Sequence, residues 1–274
     1  MNTHRIAKVD LDTGRLALDL ETAAGFHYSD SYSEFICGEW HSCMLWNASG
    51  KVEDTQLCDY SGAAQQTDYG KALPYLRELM EHTFDLSKLR FARLVKLRPN
   101  SVIIPHRDFL ELGQTMRRVH LPLQTDAHCF SAEEATVYQM RTGEIWFIDA
   151  SKVHTAASFS KRDRLHLILD FTQGDEIESV LNIEASGQQA IPAENIVARP
   201  APDAAEEETI ALFSHIVDLD NYRDILALLI RRYFRKAFHA ATVFDRLLAM
   251  AERAGKITLV ETIRRHRDYC LIAR

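Results

Sequence analysis

The sequence lacks any run of about 18 consecutive apolar residues, the length that a transmembrane helix requires. Its first residues are polar and charged, without the apolar stretch of a secretory signal peptide. The chain has only 5 cysteines, an odd number without a C-x-x-C pair. This pattern argues against structural zinc and against a disulfide framework. The absences together predict a cytoplasmic protein with reduced thiols and no membrane association.

Positive charge is also in short supply. The 32 Lys and Arg residues face 39 Asp and Glu residues, so the 274-residue chain has a net charge of −7. Proteins that bind duplex nucleic acid or membrane surfaces present a basic face. We therefore expect neither kind of partner. With 46% hydrophobic and 26% charged residues, the composition is that of a globular protein with one or two domains.

Short β-branched or alternating runs fill the middle of the chain. Turn sequences such as Arg98-Pro99-Asn100 and Arg141-Thr142-Gly143 separate them, and no strand–helix alternation accompanies them. Several short strands at this spacing predict a β-sandwich or barrel. The predicted strands are 91–97, 101–105, 119–124, 136–140, 145–149 and 165–171.

Helical periodicity lies on either side of these strands. Apolar residues recur at helix spacing after Pro74, and again after residue 209, with Gly255 as a predicted helix stop. We therefore predict a β-rich core with N-terminal helices at 1–175, a connector at 176–208 and an α-helical C-terminal region at 209–274. A dimerisation module is another interpretation of this helical region, and it would make the protein a homodimer.

The motif that carries chemistry is His106-Arg107-Asp108, which directly follows the predicted strand 101–105. Residues i and i+2 of a strand point to the same face, so His106 and Asp108 can aim at one point. His154 arrives two predicted strands later. Two histidines and one carboxylate form the facial triad of non-haem Fe(II) oxygenases, which leaves coordination positions open. Each piece alone is a weak signal, and His154 alone also fits a structural histidine.

Two arginines strengthen this interpretation. Arg164 begins an apolar strand, where a buried guanidinium needs an anion such as a carboxylate beside it. The other interpretation of Arg164 is a strand-end residue facing water. Arg118 and His120 share a face of another predicted strand, where a second anion anchor would fit a substrate with its own carboxylate. We interpret the histidines without partner spacing as structural or surface residues: His41, His82, His128, His166, His215, His239 and His266.

The chain resembles the bacterial 2-oxoglutarate-dependent hydroxylases of free L-proline, within the aspartyl/asparaginyl β-hydroxylase-like group. The similarity extends over nearly the whole chain. The segments that carry it are IIPHRDFLEL (103–112), MRTGEIWFIDA (140–150) and NYRDIL (221–226), with LWNASG (45–50) and LPYLRE (73–78).

This resemblance implies a double-stranded β-helix core, also called jelly-roll or cupin-like. It implies Fe(II) bound by His106, Asp108 and His154, with 2-oxoglutarate and O2 as co-substrates. It further implies that Arg164 pairs with the distal carboxylate of 2-oxoglutarate and that His120 also contacts 2-oxoglutarate. Arg118 is then expected to bind the carboxylate of the substrate.

The resemblance implies hydroxylation at ring C3 or C4 of a free cyclic L-imino acid, either proline or pipecolate (pipecolic acid). Asp108 favours hydroxylation over halogenation, because related iron halogenases lack this carboxylate. A hydroxylase of peptidyl or carrier-bound amino acids, of the aspartyl/asparaginyl type, is the first alternative. A cupin-like sensor that holds a metal without turnover is the second, although a sensor has no need of the anchors Arg164 and His120.

Overall fold

The computed structural model describes residues 2–30, 33–108, 116–172 and 176–272. The end of the segment 103–112 therefore lies outside the described residues. The β-strands within them are β1 His4–Lys8, β2 Ile36–Cys37, β3 Trp40–Asn47, β4 Gln65–Gln66, β5 Leu89–Leu97, β6 Ser101–Ile103, β7 Met116–Gln124, β8 Cys129–Glu133, β9 Thr136–Tyr138, β10 Glu144–Ile148, β11 His154–Ser158 and β12 Arg164–Thr172.

The α-helices of the described residues lie at the two ends of the chain. The Asp12 carboxylate accepts hydrogen bonds from two backbone N–H groups at the start of the first helix, and Pro74 opens the third. Gly255, with φ of 68°, follows the sixth, as predicted. The helices are α1 Thr13–Ala24, α2 Asp68–Lys71, α3 Pro74–Thr83, α4 Ala204–Ala211, α5 Tyr222–Tyr233, α6 Thr242–Arg253 and α7 Ile257–Leu271.

The described strands form two antiparallel sheets. One has seven strands in the order β1-β10-β7-β12-β5-β3-β4, and the other has five in the order β2-β6-β11-β8-β9. From β5 to β12 the chain passes back and forth between them: β5, β7, β10 and β12 belong to the first sheet, and β6, β8, β9 and β11 to the second. This alternation is a double-stranded β-helix, so the predicted fold class is confirmed.

A layer of N-terminal helices covers the outer face of the seven-stranded sheet. Leu16 of α1 and Leu76 of α3 share one buried apolar cluster with Leu167 and Leu169 of β12. The five-stranded sheet is covered in the same way by the C-terminal helices. There Ala157 of β11 belongs to a second buried cluster, which also contains residues of α5, α6 and α7. Both sheets therefore turn their apolar faces outward, toward helices.

The inner faces of the sheets are much more polar. Successive residues of a strand point to opposite faces, and Leu167 and Leu169 pack outward against the helices. The intervening residues of β12 therefore point inward, and three of them are Arg164, His166 and Asp170, which are buried. Burial of so many ionisable groups is costly unless each has a partner or a ligand. The space between the sheets is therefore the candidate location of the active site.

The predicted connector contacts the barrel. The Asn195 side chain donates to the Gln139 carbonyl and to the buried Glu144 carboxylate at the end of the barrel. Helix α4 begins at Ala204 because the Asp203 carboxylate caps it, which is earlier than the predicted start of the helical region at residue 209. No helix in the described part of the chain is long and apolar enough to cross a membrane.

Candidate active site

Two histidines and a carboxylate meet after the end of β6 and at the start of β11. His106 and His154 form an isolated antiparallel bridge in which each backbone N–H donates to the other's carbonyl, at 3.0 and 2.9 Å. Strand β6 ends at Ile103, before this point, so strand alternation does not set the position of Asp108. The backbone N–H of Asp108 instead donates to the Ala150 carbonyl at 2.9 Å. This bond brings Asp108 to the two histidines without a strand.

The three side chains are close enough to share one ion. Their candidate ligand atoms all lie within 4.8 Å of one another. His106 Nε2 is 3.3 Å from Asp108 Oδ1, and His154 Nε2 is 3.8 Å from Asp108 Oδ2. Among the described residues, no other group of three or more His, Cys, Asp or Glu side chains is arranged in this way.

The hydrogen bonds of the two histidines prepare them as metal ligands. His106 Nδ1 lies 2.8 Å from the Ile104 carbonyl, and His154 Nδ1 lies 3.0 Å from the Lys152 carbonyl. A carbonyl can only accept, so each Nδ1 carries the proton and each Nε2 keeps its lone pair. Histidine ligands commonly have such a bond behind them. Two imidazole nitrogens and a carboxylate oxygen fit Fe(II) as a donor set.

The charge states of the cluster suit the same role. Burial alone would raise the pKa of Asp108, but the Arg118 charge and the two histidines hold it well below the ordinary value. Burial, with the neighbouring His106, lowers the pKa of His154 to about 4. Asp108 is therefore ionised and His154 is neutral near pH 7, which are the forms that bind metals.

The C-terminal helix touches the loop that carries these ligands. The backbone N–H of Arg107, between the two ligands of the motif, donates to the Cys270 carbonyl of α7 at 3.0 Å. The Phe35 ring lies 4.9 Å from the His106 ring and stacks on the Tyr269 ring at 5.3 Å, measured between centroids. The position of the His-x-Asp motif therefore depends on contacts with the last helix.

Arg118 lies beside the metal cluster, but it already contacts two carboxylates of the protein. Its Nη1 donates to Asp108, and its Nε donates to Asp170 Oδ1 at 2.8 Å. Asp170 is fully buried and also accepts from Arg93 at 3.2 Å. Arg93, Asp170, Arg118 and Asp108 thus form a continuous chain of alternating charges, which we call the arginine–aspartate chain.

Arg164 lies on the same inner face, in a different environment. It is the first residue of β12 and is buried, and its guanidinium donates to the Ser131 hydroxyl at 2.9 Å across the gap between the sheets. None of the described carboxylates forms an ion pair with it. Burial lowers its pKa, but arginine stays charged in proteins. A buried guanidinium without a carboxylate is a site for an anionic ligand.

His120 lies between these two arginines, next to a second histidine. Its Nδ1 is 3.4 Å from Nδ1 of His166, and the rings meet edge to face at 5.6 Å. Burial, with the Arg164 charge, holds the pKa of each ring well below the ordinary histidine value. Both rings are therefore neutral near pH 7. The structure thus places His120 in the interior near Arg164.

An apolar cluster adjoins the arginine–aspartate chain. Met116 precedes Arg118 by two residues on the same face of β7, and Phe91 lies opposite Asp170 across β5 and β12. Met116 and Tyr60 pack against buried Phe91, together with Met44 and Leu57. The inner end of β7 therefore joins a guanidinium to an apolar surface.

Sequence reasoning missed part of this site. It gives no role to Asp170, Arg93 or Ser131, and it places His166 among structural or surface histidines. Asp170 and His166 do carry a signal, because they share the alternation of Arg164 along one apolar strand. The pairing of Asp170 with Arg118 depends on the register of β12 against β7, where these two residues are directly opposite.

Comparison with known families divides the chain into two adjacent matches. The family model described as aspartyl/asparaginyl beta-hydroxylase matches residues 11–173. The model described as the C-terminal part of L-proline 3-hydroxylase matches residues 178–274. The two matches together span both the barrel and the C-terminal helices.

Two curated proteins align with almost the entire chain. L-proline cis-4-hydroxylase of Rhizobium meliloti (strain 1021) is 39% identical over 264 residues, covering 95% of this chain and 92% of that protein. L-proline cis-3-hydroxylase 1 of a Streptomyces species is 34% identical over 283 residues, covering 100% of this chain and 96% of that protein. The similarity is therefore not confined to the metal-binding motif.

Proposed function

Because this chain belongs to the aspartyl/asparaginyl beta-hydroxylase family, we propose that it hydroxylates the ring of a free cyclic L-imino acid, proline or pipecolate, at C3 or C4. It is an Fe(II)- and 2-oxoglutarate-dependent dioxygenase. The single observation that carries the substrate assignment is the contact between Arg118 and Asp108. Any carboxylate that binds Arg118 lies next to the metal site, so the rest of a small molecule is held there too.

His106, Asp108 and His154 would hold the iron through Nε2, a carboxylate oxygen and Nε2. Bound iron supplies the chemistry that no side chain has, the activation of O2 coupled to oxidative decarboxylation of 2-oxoglutarate. The protein's part is to fix the ligand tautomers, to orient the reactants and to exclude water. Which ring carbon reacts is decided by which C–H is turned toward the metal, so small shifts of the substrate matter.

Arg164 is the proposed anchor for the distal carboxylate of 2-oxoglutarate. Its guanidinium is buried, its one bond to a described side chain is to the neutral Ser131 hydroxyl, and a carboxylate would complete it. His120 is the proposed second contact with 2-oxoglutarate, since it lies on the adjacent strand β7 with a neutral ring. Together these two residues would bind the co-substrate from one side of the interior.

The charges of the interior support a substrate with one free carboxylate. Arg93, Arg118 and Arg164 carry three positive charges against the two negative charges of Asp108 and Asp170. With a divalent iron the total is three positive charges, which dianionic 2-oxoglutarate would reduce to one. A free imino acid has a carboxylate and a protonated ring nitrogen and is neutral as a whole, so the remaining positive charge favours its carboxylate end.

The apolar ring of an imino acid also has a matching surface. Arg118 would bind the carboxylate, while Met116 and Tyr60 offer apolar contacts close by. These contacts are compatible with reaction at either ring carbon, and the two relatives described above act at different ring carbons according to their names. The proposal therefore keeps C3 and C4, and both proline and pipecolate.

The alternative with the same metal and co-substrate is hydroxylation of a peptidyl or carrier-bound amino acid. Such a substrate has no free carboxylate to offer Arg118. Amidation of the substrate would remove the charge-assisted bond between its carboxylate and Arg118, which costs ~2 kcal/mol and corresponds to roughly 30-fold. The two functions therefore predict opposite preferences between an acid and its amide.

The test is a direct competition of substrates. Anaerobically purified protein is given Fe(II), 2-oxoglutarate and O2 with L-proline, L-pipecolate, their amides and a proline-containing peptide, and products are identified by mass and NMR. We expect ring-hydroxylated free acid, with turnover of the amides lower by about 30-fold or more. Equal turnover of an amide or peptide would overturn the assignment.

A further inference from the structure

The contact between His120 and His166 has a chemical consequence that depends on one proton. Two neutral imidazoles whose Nδ1 atoms lie 3.4 Å apart can form a hydrogen bond only if one Nδ1 is protonated and the other is not. When His166 provides the proton, His120 carries its own proton on Nε2. When His120 provides it, its Nε2 is a bare acceptor that repels a carboxylate.

The surroundings of His166 explain why these rings depend on each other. The cross-strand neighbours of His166 are Val95 and Pro122, and neither has a polar side-chain atom. Its Nε2 is closed off from solvent and has no hydrogen-bond partner among the described residues. Among the described residues, His120 is therefore the one side chain that offers this ring a hydrogen-bond partner.

Keeping a histidine at this position has a cost. A buried ring nitrogen without a partner destabilises the fold, and a leucine would suit the apolar neighbours without that cost. His120, in contrast, has no hydrogen-bond partner for its Nε2 among the described residues, and this atom is not closed off like that of His166. The pair thus leaves one nitrogen of His120 available to a ligand.

We propose that His166 is a positioning residue for the co-substrate: it donates from Nδ1 to His120 and so holds His120 as the Nε2–H tautomer that can donate to a carboxylate of 2-oxoglutarate. This inference rests on the proposed function. It adds a residue that would act without touching 2-oxoglutarate itself. It also gives His166 a position in the site comparable to that of Asp170, which orients Arg118.

Three substitutions separate this role from direct binding. Asparagine can place an N–H close to the position of Nδ1, glutamine can place one close to Nε2, and leucine can do neither. In anaerobic calorimetric titrations of the Fe(II)-loaded protein, we expect His166→Leu to raise the Kd of 2-oxoglutarate by ~10-fold or more. His166→Asn should keep most of the affinity and His166→Gln should not. His128→Leu, at an exposed histidine, is the matched control.

A second measurement needs neither metal nor turnover. In metal-free protein with 15N-labelled histidine, the ring nitrogen shifts report the tautomer, and the His120 signals are identified by their loss in His120→Asn. We expect the Nε2–H form of His120 in the unsubstituted protein and in His166→Asn, and a mixture in His166→Leu. This readout remains available when a substitution weakens the fold.

Three results would overturn the inference: an Nδ1–H tautomer of His120 in the unsubstituted protein, normal 2-oxoglutarate affinity in His166→Leu, or affinity kept by glutamine and lost with asparagine. The last result would make His166 a direct ligand. Failure of the unsubstituted protein to bind 2-oxoglutarate is a different outcome, because it would overturn the proposed function before any variant is compared.

Discussion

The interior of the barrel treats its arginines in two opposite ways. In the arginine–aspartate chain, Arg93 and Arg118 face carboxylates that belong to the protein. At the other region Arg164 has a serine hydroxyl as its partner. The first region is electrostatically complete before any ligand arrives, whereas the second is complete only with an anion. Arg118 and Arg164 therefore have different roles, although they lie in one cavity.

This difference explains how one cavity can bind two carboxylic acids, each at its own arginine. An anion at Arg164 gains a partner that nothing else occupies, so binding there should be strong. An anion at Arg118 must share the guanidinium with Asp108 and Asp170. A ligand that binds at Arg118 therefore changes the surroundings of a metal ligand, and substrate binding becomes coupled to the metal.

The largest expected effect comes from removal of the metal site, on which the proposed roles of both regions depend. His106→Ala, Asp108→Ala and His154→Ala should each abolish turnover and leave the fold intact, because these side chains are not members of the apolar clusters that stabilise the sheets. Product formation, iron content and thermal unfolding are the measurements. Full activity in any one of the three variants would remove that residue from the metal site.

The second prediction compares the stability lost when each of the two regions loses one polar partner of its arginines. Asp170→Asn should lower the free energy of unfolding by ~3–5 kcal/mol, since it removes the charge of the buried carboxylate that Arg93 and Arg118 share. Ser131→Ala, the matched change beside Arg164, removes one neutral hydrogen-bond partner and should cost only ~1 kcal/mol. Urea denaturation measures both. Equal losses would show that the two regions do not differ in the way described.

A kinetic comparison sharpens the same contrast. Arg164→Leu should raise the KM for 2-oxoglutarate by ~30-fold or more, because a charged anchor is lost from the distal carboxylate. Arg118→Leu should raise the KM for the imino acid instead. If Arg164→Leu weakened imino-acid binding and left the 2-oxoglutarate dependence unchanged, the two assignments would have to be exchanged.

The smallest effect is a pH dependence of stability. In the unfolded chain histidine takes up a proton near pH ~6.5, whereas in the folded protein the pKa of His154 is lowered to about 4, and the pKa of His166 is also well below its usual value. The unfolded state binds more protons in this interval, so the metal-free protein should lose stability as pH falls below about 6.5.

Denaturation at several pH values measures this slope. His166→Phe should make the slope shallower, since it removes one of the histidines that titrates only in the unfolded state. His128→Ala, at an exposed position, should leave it unchanged. A slope unaffected by His166→Phe would show that this ring takes up its proton in the folded protein.

The sequence was sufficient for the class of fold because the barrel strands carry strong alternation. Each of the six predicted strands coincides with a strand of the structure within three residues. Among the strands from β5 to β12, β8 and β11 were missed, since small and polar residues such as those of His154–Ser158 give little β signal. The division of the chain into core, connector and helical region stays a prediction.

For the site, spacing along the chain predicted the residues whose chemistry is self-evident. His106, Asp108 and His154 form a recognisable donor set, and Arg164 in an apolar strand calls for an anion. Asp170 could not be found in this way, because its importance comes from the register that sets it opposite Arg118. The proposed role of His166 depends on contact with another strand, which no local pattern contains.

The hydrogen bond from Arg107 to Cys270 bears on how far this chain can be regarded as modular. The two family matches meet between residues 173 and 178. This division suggests that the C-terminal helices could be exchanged for those of a relative. The carbonyl that supports the His-x-Asp loop, however, belongs to that helical part. A hybrid would keep the His-x-Asp motif of this barrel but take the helix that supports it from another protein. We expect such a hybrid to bind iron less well. The three residues proposed as iron ligands therefore lie in the first match, and part of the support of their loop lies in the second.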